Sequence, residues 1–469
     1  MNRRGLSANQ SYGLNMRVSG TKITEELVQL LALGVPLVIA QLLQVSYGFV
    51  ATLMMGRVGT LELAAIGLGN SLWVMVFLAT LGVLMVVSPV VARKFGADRS
   101  DAIREIFQQA LWLSSIVALF SWWMMRHVGS VMSVMSVEAA VIPLVEDYLR
   151  ITSWGMPSVC LYFVCRFFCE GTGNARPMML IQLIVLPINI LLSWVLIFGK
   201  FGFPALAVNG AALAGTICLW LNAGLMLRYV AKAGRYRHLK LLRDVARPSL
   251  TEIGKLARLG LPVAGLLILE SGFFNAIALM MGSLGQIALA AHNVVMNYVT
   301  LIFMIPVGLA NALMVRVGQA MGESGVAEAR FRGLVGIGVA SGAMVVSALV
   351  IAMFPKAIIG LYTADSAVAA TASVLLVCAA LFQLSDGIQI TSAGALRGLQ
   401  DTTVPMVICG GAYWVVGVPT SWWLGIYLER GPFGLWLGLI LGLTVSATLL
   451  GARFLLKSGR LVRLQGLES

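Results

Sequence analysis

The sequence predicts an all-α integral membrane protein with twelve transmembrane helices in two pseudo-symmetric six-helix bundles. The first observation behind this prediction is composition. Only 11% of the 469 residues are Asp, Glu, Lys or Arg, and 59% are hydrophobic, whereas a soluble globular protein carries about 25% charged residues. With a mean hydropathy of +0.90, the chain has too little polar surface to be solvated, and only the membrane class fits.

The second observation is a series of apolar runs, each long enough to cross a bilayer, which takes about 20 helical residues. Twelve such runs lie at 29–54, 64–91, 107–130, 139–168, 178–199, 207–230, 258–281, 288–315, 333–354, 367–396, 405–427 and 432–455. A long basic stretch from Arg228 to Lys255 separates the first six runs from the last six. The chain therefore divides into two halves of equal helix number.

The third observation is an internal repeat. Residues 33–65 and 259–291 align at a constant offset of 226, and this alignment pairs identical residues such as Gly34/Gly260, Pro36/Pro262, Met54/Met280, Gly56/Gly282 and Ala65/Ala291. An offset of six helices returns the second copy to the same side of the membrane. The repeat is therefore parallel, and transporters of this kind bind substrate between the halves and rock one half against the other.

The distribution of basic residues predicts the orientation. If loops are assigned to alternate sides, one side holds 27 of the 33 basic residues and the other holds 6. By the positive-inside rule, both termini are cytoplasmic. The asymmetry explains the net charge of +13 without a nucleic-acid partner. The predicted segments are an N-terminal tail (1–24), a first lobe (25–232), a cytoplasmic linker (233–254), a second lobe (255–456) and a C-terminal tail (457–469).

Two carboxylates are the chemical feature that this pattern does not explain. Glu270 lies twelve residues after Arg258 and Asp386 lies eleven residues before Arg397, so a rise of about 1.5 Å per residue places both near the bilayer midplane. A charge there costs about 2.5 kcal/mol or more and indicates a functional site. The sequence predicts no Lys or Arg at that depth. Each carboxylate is then either protonated or bound to a cation such as Na⁺.

Other polar residues have milder interpretations. Asn293 and Asn297 share one helix face, and Gln383 and Gln389 flank Asp386; they line a cavity or form interhelical hydrogen bonds. Glu170 is predicted to form an ion pair near a loop with Arg166 and Arg176. The six cysteines all fall in apolar runs, which is typical of small core residues rather than of a metal site.

Several stretches together resemble the multidrug and toxic compound extrusion (MATE) family, in its bacterial NorM-like branch. They are LMMGRVGTLELAAIG, VVARKFGADRSDAIR, VNGAALAGT, PVAGLLILE, VRVGQAMGESGVAEAR and LFQLSDGIQITSAGALRGLQDTTVPM. The resemblance covers about residues 25–456. It implies two six-helix lobes around a cavity that opens alternately to each side. It also implies export of cationic or amphipathic compounds against an inward flow of protons or Na⁺.

The resemblance bears on individual residues as well. Acidic residues in the seventh and tenth helices of the NorM-like branch are matched by Glu270 and Asp386. An Asp in the first helix of many relatives is replaced by Ala51, whereas a fifth-helix Asn is retained as Asn189 and the Asp that follows it in some relatives is Ser193. A tenth-helix Tyr of some relatives is Phe382. Asn189 and Phe382 are further candidates for the lining of the cavity. The resemblance therefore implies that coupling rests on the C-terminal lobe.

We therefore expect a multidrug efflux antiporter, monomeric and in the bacterial inner membrane, which needs no cofactor beyond its coupling ion, H⁺ or Na⁺. A Glu–Asp pair suits either ion. The alternative is a lipid-linked glycan flippase, which needs cations in its cavity to hold a pyrophosphate. We do not expect an enzyme, because none of the three histidines, His127, His238 and His292, has a nucleophile nearby in the sequence. A passive channel would show flux without ion coupling.

Overall fold

The structure is a computed structural model that describes residues 20–127, 140–243 and 246–468. All regular elements in these residues are helical. The first half contains eight α-helices: α1 (Gly20–Met55), α2 (Thr60–Met85), α3 (Val87–Gly96), α4 (Ser100–His127), α5 (Ile142–Ser153), α6 (Met156–Gly171), α7 (Arg176–Phe198) and α8 (Ala207–Lys232). A short 3₁₀ turn, Gly234–Leu239, follows in the segment between the halves.

The second half has the same order of long helices. Its elements are α9 (Leu250–Ser283), α10 (Gln286–Glu323), α11 (Val326–Met353), α12 (Pro355–Gly360), α13 (Ser366–Gly398), α14 (Thr403–Gly410), α15 (Val418–Trp422) and α16 (Gly431–Glu468). Two π-helical segments, Gly411–Gly417 and Trp423–Tyr427, continue α14 and α15 into one rod, Thr403–Tyr427. The last helix, α16, continues through residues 457–468, which the sequence predicts as a tail.

Eleven helical rods in the described ranges are long and apolar enough to cross a membrane. The exception is the predicted run 139–168, which the structure divides into α5 and α6 at Trp154 and Gly155. Pro157 stands in the first turn of α6, where it lacks the N–H that a continuous helix needs. The prediction of a single long helix at 139–168 is therefore wrong, whereas the prediction of a polytopic all-helical fold is confirmed.

The two halves contact each other through α1 with α10, α2 with α9 and α3 with α10. The residues that make these contacts are related in pairs by the offset of 226. A methyl group on Gly96 would overlap the carbonyl oxygen of Gln319, and one on Gly322 would overlap that of Arg93, which is the repeat counterpart of Gln319. Two further pairs of glycines behave in the same way. Methyl groups on Gly34 and Gly260 would meet Leu309 and Val83, and those on Gly82 and Gly308 would meet Ala264 and Val38; each of these contacted pairs is also related by the offset. Glycine thus permits backbone contact on both sides of the pseudo-two-fold axis.

The segment between the halves is fixed on α4 by two glutamines. Gln108 donates to the carbonyl oxygen of Leu241 at 3.0 Å and accepts from the amide of Ala246 at 3.0 Å. Gln109 donates to the carbonyl oxygen of Arg247 at 3.0 Å and accepts from the amide of Ser249 at 2.9 Å. These paired amide contacts tie the start of α9 to the first half.

The glycine contacts predict a selective loss of stability. We expect Gly96→Ala to lower the free energy of unfolding by about 1–3 kcal/mol, because the added methyl group overlaps backbone of the other half. Thermal unfolding of the purified protein in detergent, followed by circular dichroism, measures the loss.

The matched control is Gly338→Ala. Gly338 also lies inside a long helix, but nothing lies within 4 Å of its added methyl group. Alanine has the higher helix propensity, so this variant is expected to be neutral or slightly stabilised. Equal melting temperatures for the two variants would contradict the close packing between the halves.

Candidate functional site

The structure brings the two predicted carboxylates into one cluster. Glu270 lies in the middle of α9 with 8% of its surface exposed, and Asp386 lies in α13 with 4% exposed. The two side chains are close enough to interact electrostatically. Two like charges are thereby held together in a low-dielectric interior, where a proton or a bound cation is needed to offset their repulsion.

Oxygen atoms around this pair have no partner among the described residues. They include Glu270 Oε1, Asp386 Oδ1 and Gln389 Oε1. Buried polar atoms without a partner are rare in folded proteins and call for an explanation such as a water or an ion. Hard monovalent cations bind carboxylate, amide and hydroxyl oxygens, and a proton can be shared between carboxylates. The cluster therefore has the donor set for either kind of ligand.

Tyr413 reaches the cluster from the first π-helical segment. Its ring stacks on Phe273, with centroids 5.0 Å apart and planes at 4°, and its side chain interacts electrostatically with Glu270 and Asp386. The neighbouring Trp414 donates to the carbonyl oxygen of Leu269 at 3.2 Å, which fixes the rod against α9. Single π-helical turns occur often at functional sites because they re-aim a side chain.

Further polar groups continue the cluster toward α16. The Cys409 thiol lies 3.2 Å from the Ser446 hydroxyl, and the Gln389 amide donates to Cys409 at 3.8 Å. On the other side of Asp386, Gln383 accepts from the Ser347 hydroxyl at 2.7 Å. This places both glutamines that flank Asp386 in interhelical contacts.

An aromatic layer covers the pair on one side. Phe382, one helical turn before Asp386, packs edge-on against Phe274 and Trp436 with centroids 6.0 and 5.9 Å apart. His292 lies against the same Trp436 at 5.8 Å. All but Phe274 are buried. The layer keeps the dielectric around the carboxylates low.

The remaining predicted site residues lie apart from this cluster. Asn189 is buried in α7 of the first half and forms a side-chain hydrogen bond with Cys218. Asn293 and Asn297 are exposed on α10, where Asn297 donates to the carbonyl oxygen of Asn293 at 2.8 Å. The proposed lining of a cavity by these residues, and by Phe382 and Gln383, stays a prediction.

The expected absence of basic residues at the depth of the carboxylates is wrong. Arg166 is 2% exposed in α6 and donates to Gln44 at 3.4 Å and to Gln41 at 3.2 Å. Gln44 is the repeat counterpart of Glu270, so Arg166 lies at the equivalent depth in the first half. Its Nε donates to Glu170 at 2.7 Å. The pair predicted near a loop is therefore a fully buried one within a single helix.

Arg397 is the second basic residue that the sequence analysis misplaced. Its position at the end of a predicted span suggested a loop, yet its side chain is only 6% exposed and donates to Met85 Sδ at 2.6 Å and to the carbonyl oxygen of Ala393 at 3.2 Å. Its charge reaches Glu270 electrostatically. Sequence reasoning also missed Tyr413, for which the only signal was a hydroxyl inside an apolar run.

A duplicated bundle of membrane-spanning helices with buried, unpaired carboxylates defines a class: a membrane transporter with two related halves. The comparisons identify the family. The MatE family model matches residues 36–195 and 262–423, so the second match begins 226 residues after the first. The chain belongs to the MatE family of multi-pass membrane transporters.

Similar proteins cover nearly the whole chain. A probable multidrug resistance protein NorM of Xanthomonas campestris is 39% identical over 429 residues, which is 92% of this chain and 94% of the relative. The multidrug resistance protein PmpM of Pseudomonas aeruginosa is 37% identical over 452 residues, 95% of this chain and 94% of the relative.

Solved structures show the same fold. A eukaryotic MATE transporter, AtDTX14, superimposes with a TM-score of 0.85 at 19% identity, over 94% of this chain and 99% of its own. An outward-facing multidrug resistance MATE family transporter superimposes with a TM-score of 0.82 at 21% identity, over 94% of this chain and 97% of its own. At these identities, the likeness supports the fold alone.

The geometry at Tyr413 predicts an effect on cation binding. Tyr413→Phe keeps the ring stacked on Phe273 and removes only the hydroxyl. A cation that binds between Glu270 and Asp386 raises the melting temperature as its concentration rises. We expect the variant to need about tenfold more Na⁺ for the same rise, because it loses one oxygen of the donor set around the ion.

Tyr427→Phe serves as the control, because Tyr427 lies on the same rod and is 66% exposed. Melting temperatures are measured across a pH series and across NaCl with KCl as the ionic-strength reference. If both variants titrate as the wild type does, the Tyr413 hydroxyl has no part in the site.

Proposed function

We propose that this transporter exports drug-like organic cations and amphipathic compounds in exchange for inward movement of H⁺ or Na⁺, and that Glu270 and Asp386 bind the coupling ion. The single observation that supports this proposal is the pair of buried carboxylates, each of which has one buried oxygen without a hydrogen-bond partner among the described residues. The proposal for the substrate class rests on the relatives, which are named multidrug resistance proteins.

The mechanism follows from linkage between two ligands. In the state open to the outside, the carboxylates take up the coupling ion, and the neutralised pair no longer attracts a cationic drug, which leaves. After the halves rock, the ion leaves to the inside, and the freed carboxylates attract the next drug molecule. Because coupling is reciprocal, drug binding must weaken ion binding by the same factor.

An asymmetry between the halves supports assigning ion exchange to the second half. The counterpart of Glu270 is Gln44, which accepts a hydrogen bond from Arg166. Thus a tethered guanidinium, already neutralised by Glu170, occupies the equivalent place in the first half. Ala51 and Ser193 also leave that half without the carboxylates that some relatives have. The second half has the unpaired pair instead.

The membrane orientation that we propose for this chain follows from the distribution of its basic residues. We place both termini and the linker in the cytoplasm, the chain in the bacterial inner membrane, and the working unit as a monomer. The proposed lobes are 25–232 and 255–456, joined by the linker 233–254. The glycan flippase remains the alternative, but Arg166 offers no free charge for a pyrophosphate, because its guanidinium is bonded to Gln41, Gln44 and Glu170.

Proteoliposome transport tests the proposal. Vesicles loaded with a fluorescent organic cation are subjected first to a proton gradient and then to a Na⁺ gradient. We expect one gradient to drive transport in the wild type, and Glu270→Gln and Asp386→Asn each to lower the gradient-driven rate at least about tenfold, because each removes a charge on which ion binding depends.

The control is Glu323→Gln, since Glu323 is a carboxylate at the end of α10 with its side chain 58% exposed. It is expected to transport as the wild type does. The gradient that drives transport identifies the ion. A transport rate that depends on neither gradient, or that is unchanged by both substitutions, would overturn the coupling mechanism and favour the flippase or a channel.

A further inference from the structure

A cavity of about 630 Å³ lies at the end of the bundle that holds the linker, outside the carboxylate cluster. Both halves form it: α3 and α4 contribute from the first half, and α9, α10 and the loop at Gln400 contribute from the second. Its polar rim carries four basic side chains and two acidic ones, Arg93, Lys94, Arg99, Lys255, Glu105 and Glu252. Four minus two leaves a net charge of +2 on the rim.

The rim cations are only partly neutralised by the protein. Lys255 pairs with Glu252 at 2.6 Å, and Arg93 donates to the neutral Gln400 at 3.4 Å. Lys94 and Arg99 have no ion-pair partner in the described part of the chain. Positive charge is therefore available at the mouth of the cavity.

Most of the charged lining residues are exposed, whereas the apolar part of the lining is buried or half-buried and is called the floor here. The floor consists of aliphatic and thioether side chains, namely Val90, Ile106, Leu256, Leu259 and Met321. A cationic rim above an apolar floor fits an anionic head group attached to a hydrocarbon part. A small hydrophilic anion would leave the floor in contact with water.

The internal repeat shows how the protein closes the equivalent place. The counterpart of Glu252 is Glu26, which is 5% exposed and pairs with both Arg316 and Arg332. Those two arginines correspond to Val90 and Ile106 of the cavity. On one side of the axis, guanidinium groups thus fill the groove between the halves, and on the other side shorter aliphatic residues leave it open.

We propose that this cavity binds a phosphate group carried on an apolar body, either the head group of an anionic phospholipid or a soluble organophosphate. The phosphate is bound by Lys94 and Arg99, with Arg93 and Lys255 beside them, and the apolar part covers the aliphatic floor. Because both halves line the cavity, the ligand binds the arrangement in which they touch at this end and stabilises it over one in which they separate.

The test uses full-length protein in detergent and native mass spectrometry. The protein is titrated with phosphatidylglycerol, with phosphatidylcholine and with inorganic phosphate. We expect phosphatidylglycerol to bind at least about tenfold more tightly than phosphatidylcholine, since each basic residue near an anionic head group contributes about fivefold and at least two are available. Displacement of the lipid by inorganic phosphate would identify the head group as the recognised part.

Two variants and one control decide the outcome. Lys94→Gln combined with Arg99→Gln is expected to weaken phosphatidylglycerol binding at least about tenfold. Val90→Arg supplies a guanidinium opposite Glu252, as Arg316 does opposite Glu26, and is expected to abolish binding while adding positive charge. Arg460→Gln combined with Arg463→Gln removes the same charge from the exposed end of α16 and is expected to bind as the wild type does.

The same experiment distinguishes the two possible carriers of the phosphate group, a phospholipid and a soluble organophosphate. Binding of phosphatidylglycerol that needs its acyl chains indicates a lipid, whereas equal binding of glycerol phosphate and phosphatidylglycerol indicates a soluble organophosphate. The proposal is overturned if the Lys94 and Arg99 double variant binds phosphatidylglycerol as tightly as the control, or if Val90→Arg leaves binding unchanged.

Discussion

The burial of Glu270 and Asp386 beside each other is the constraint on which the proposed mechanism depends. Two carboxylates at 8% and 4% exposure repel each other in a low dielectric unless a proton or cation lies between them. Arg397 reaches Glu270 from the end of α13 but leaves oxygens of both groups without partners. The first π-helical segment carries Tyr413, which stacks on Phe273, and Phe274, Phe382 and Trp436 form an apolar layer beside the site.

The two halves are related by a pseudo-two-fold repeat in their backbone contacts but not in their side-chain chemistry. The halves touch through glycine pairs related by one offset, so equivalent backbone contacts are made on the two sides of the interface. The chemistry, by contrast, is not symmetric. The first half has a buried ion pair between Arg166 and Glu170 where the second has two carboxylates with unpartnered oxygens among the described residues. Ion pairs of Glu26 close one groove between the halves, and the other is open.

The sequence was sufficient for the helical class, the repeat and the two carboxylates, because apolar run length, a constant offset and isolated charges are properties of the chain itself. It was not sufficient to place Arg166 and Arg397. Each lies near the end of an apolar run, where a basic residue is normally assigned to a loop, but a long side chain can place its charged group between helices. The break at Trp154 and the π-helical turn at Tyr413 depend on packing against neighbouring helices, which no local pattern reports.

Release of the coupling ion upon drug binding tests the central claim most directly. A fluorescent organic cation is added to purified protein in weakly buffered detergent solution, and released protons are measured with a pH indicator or released Na⁺ with an ion-selective electrode. We expect release that follows the drug-binding isotherm and disappears when Glu270→Gln and Asp386→Asn are combined. Drug binding without release, or equal release from the double variant, would contradict it.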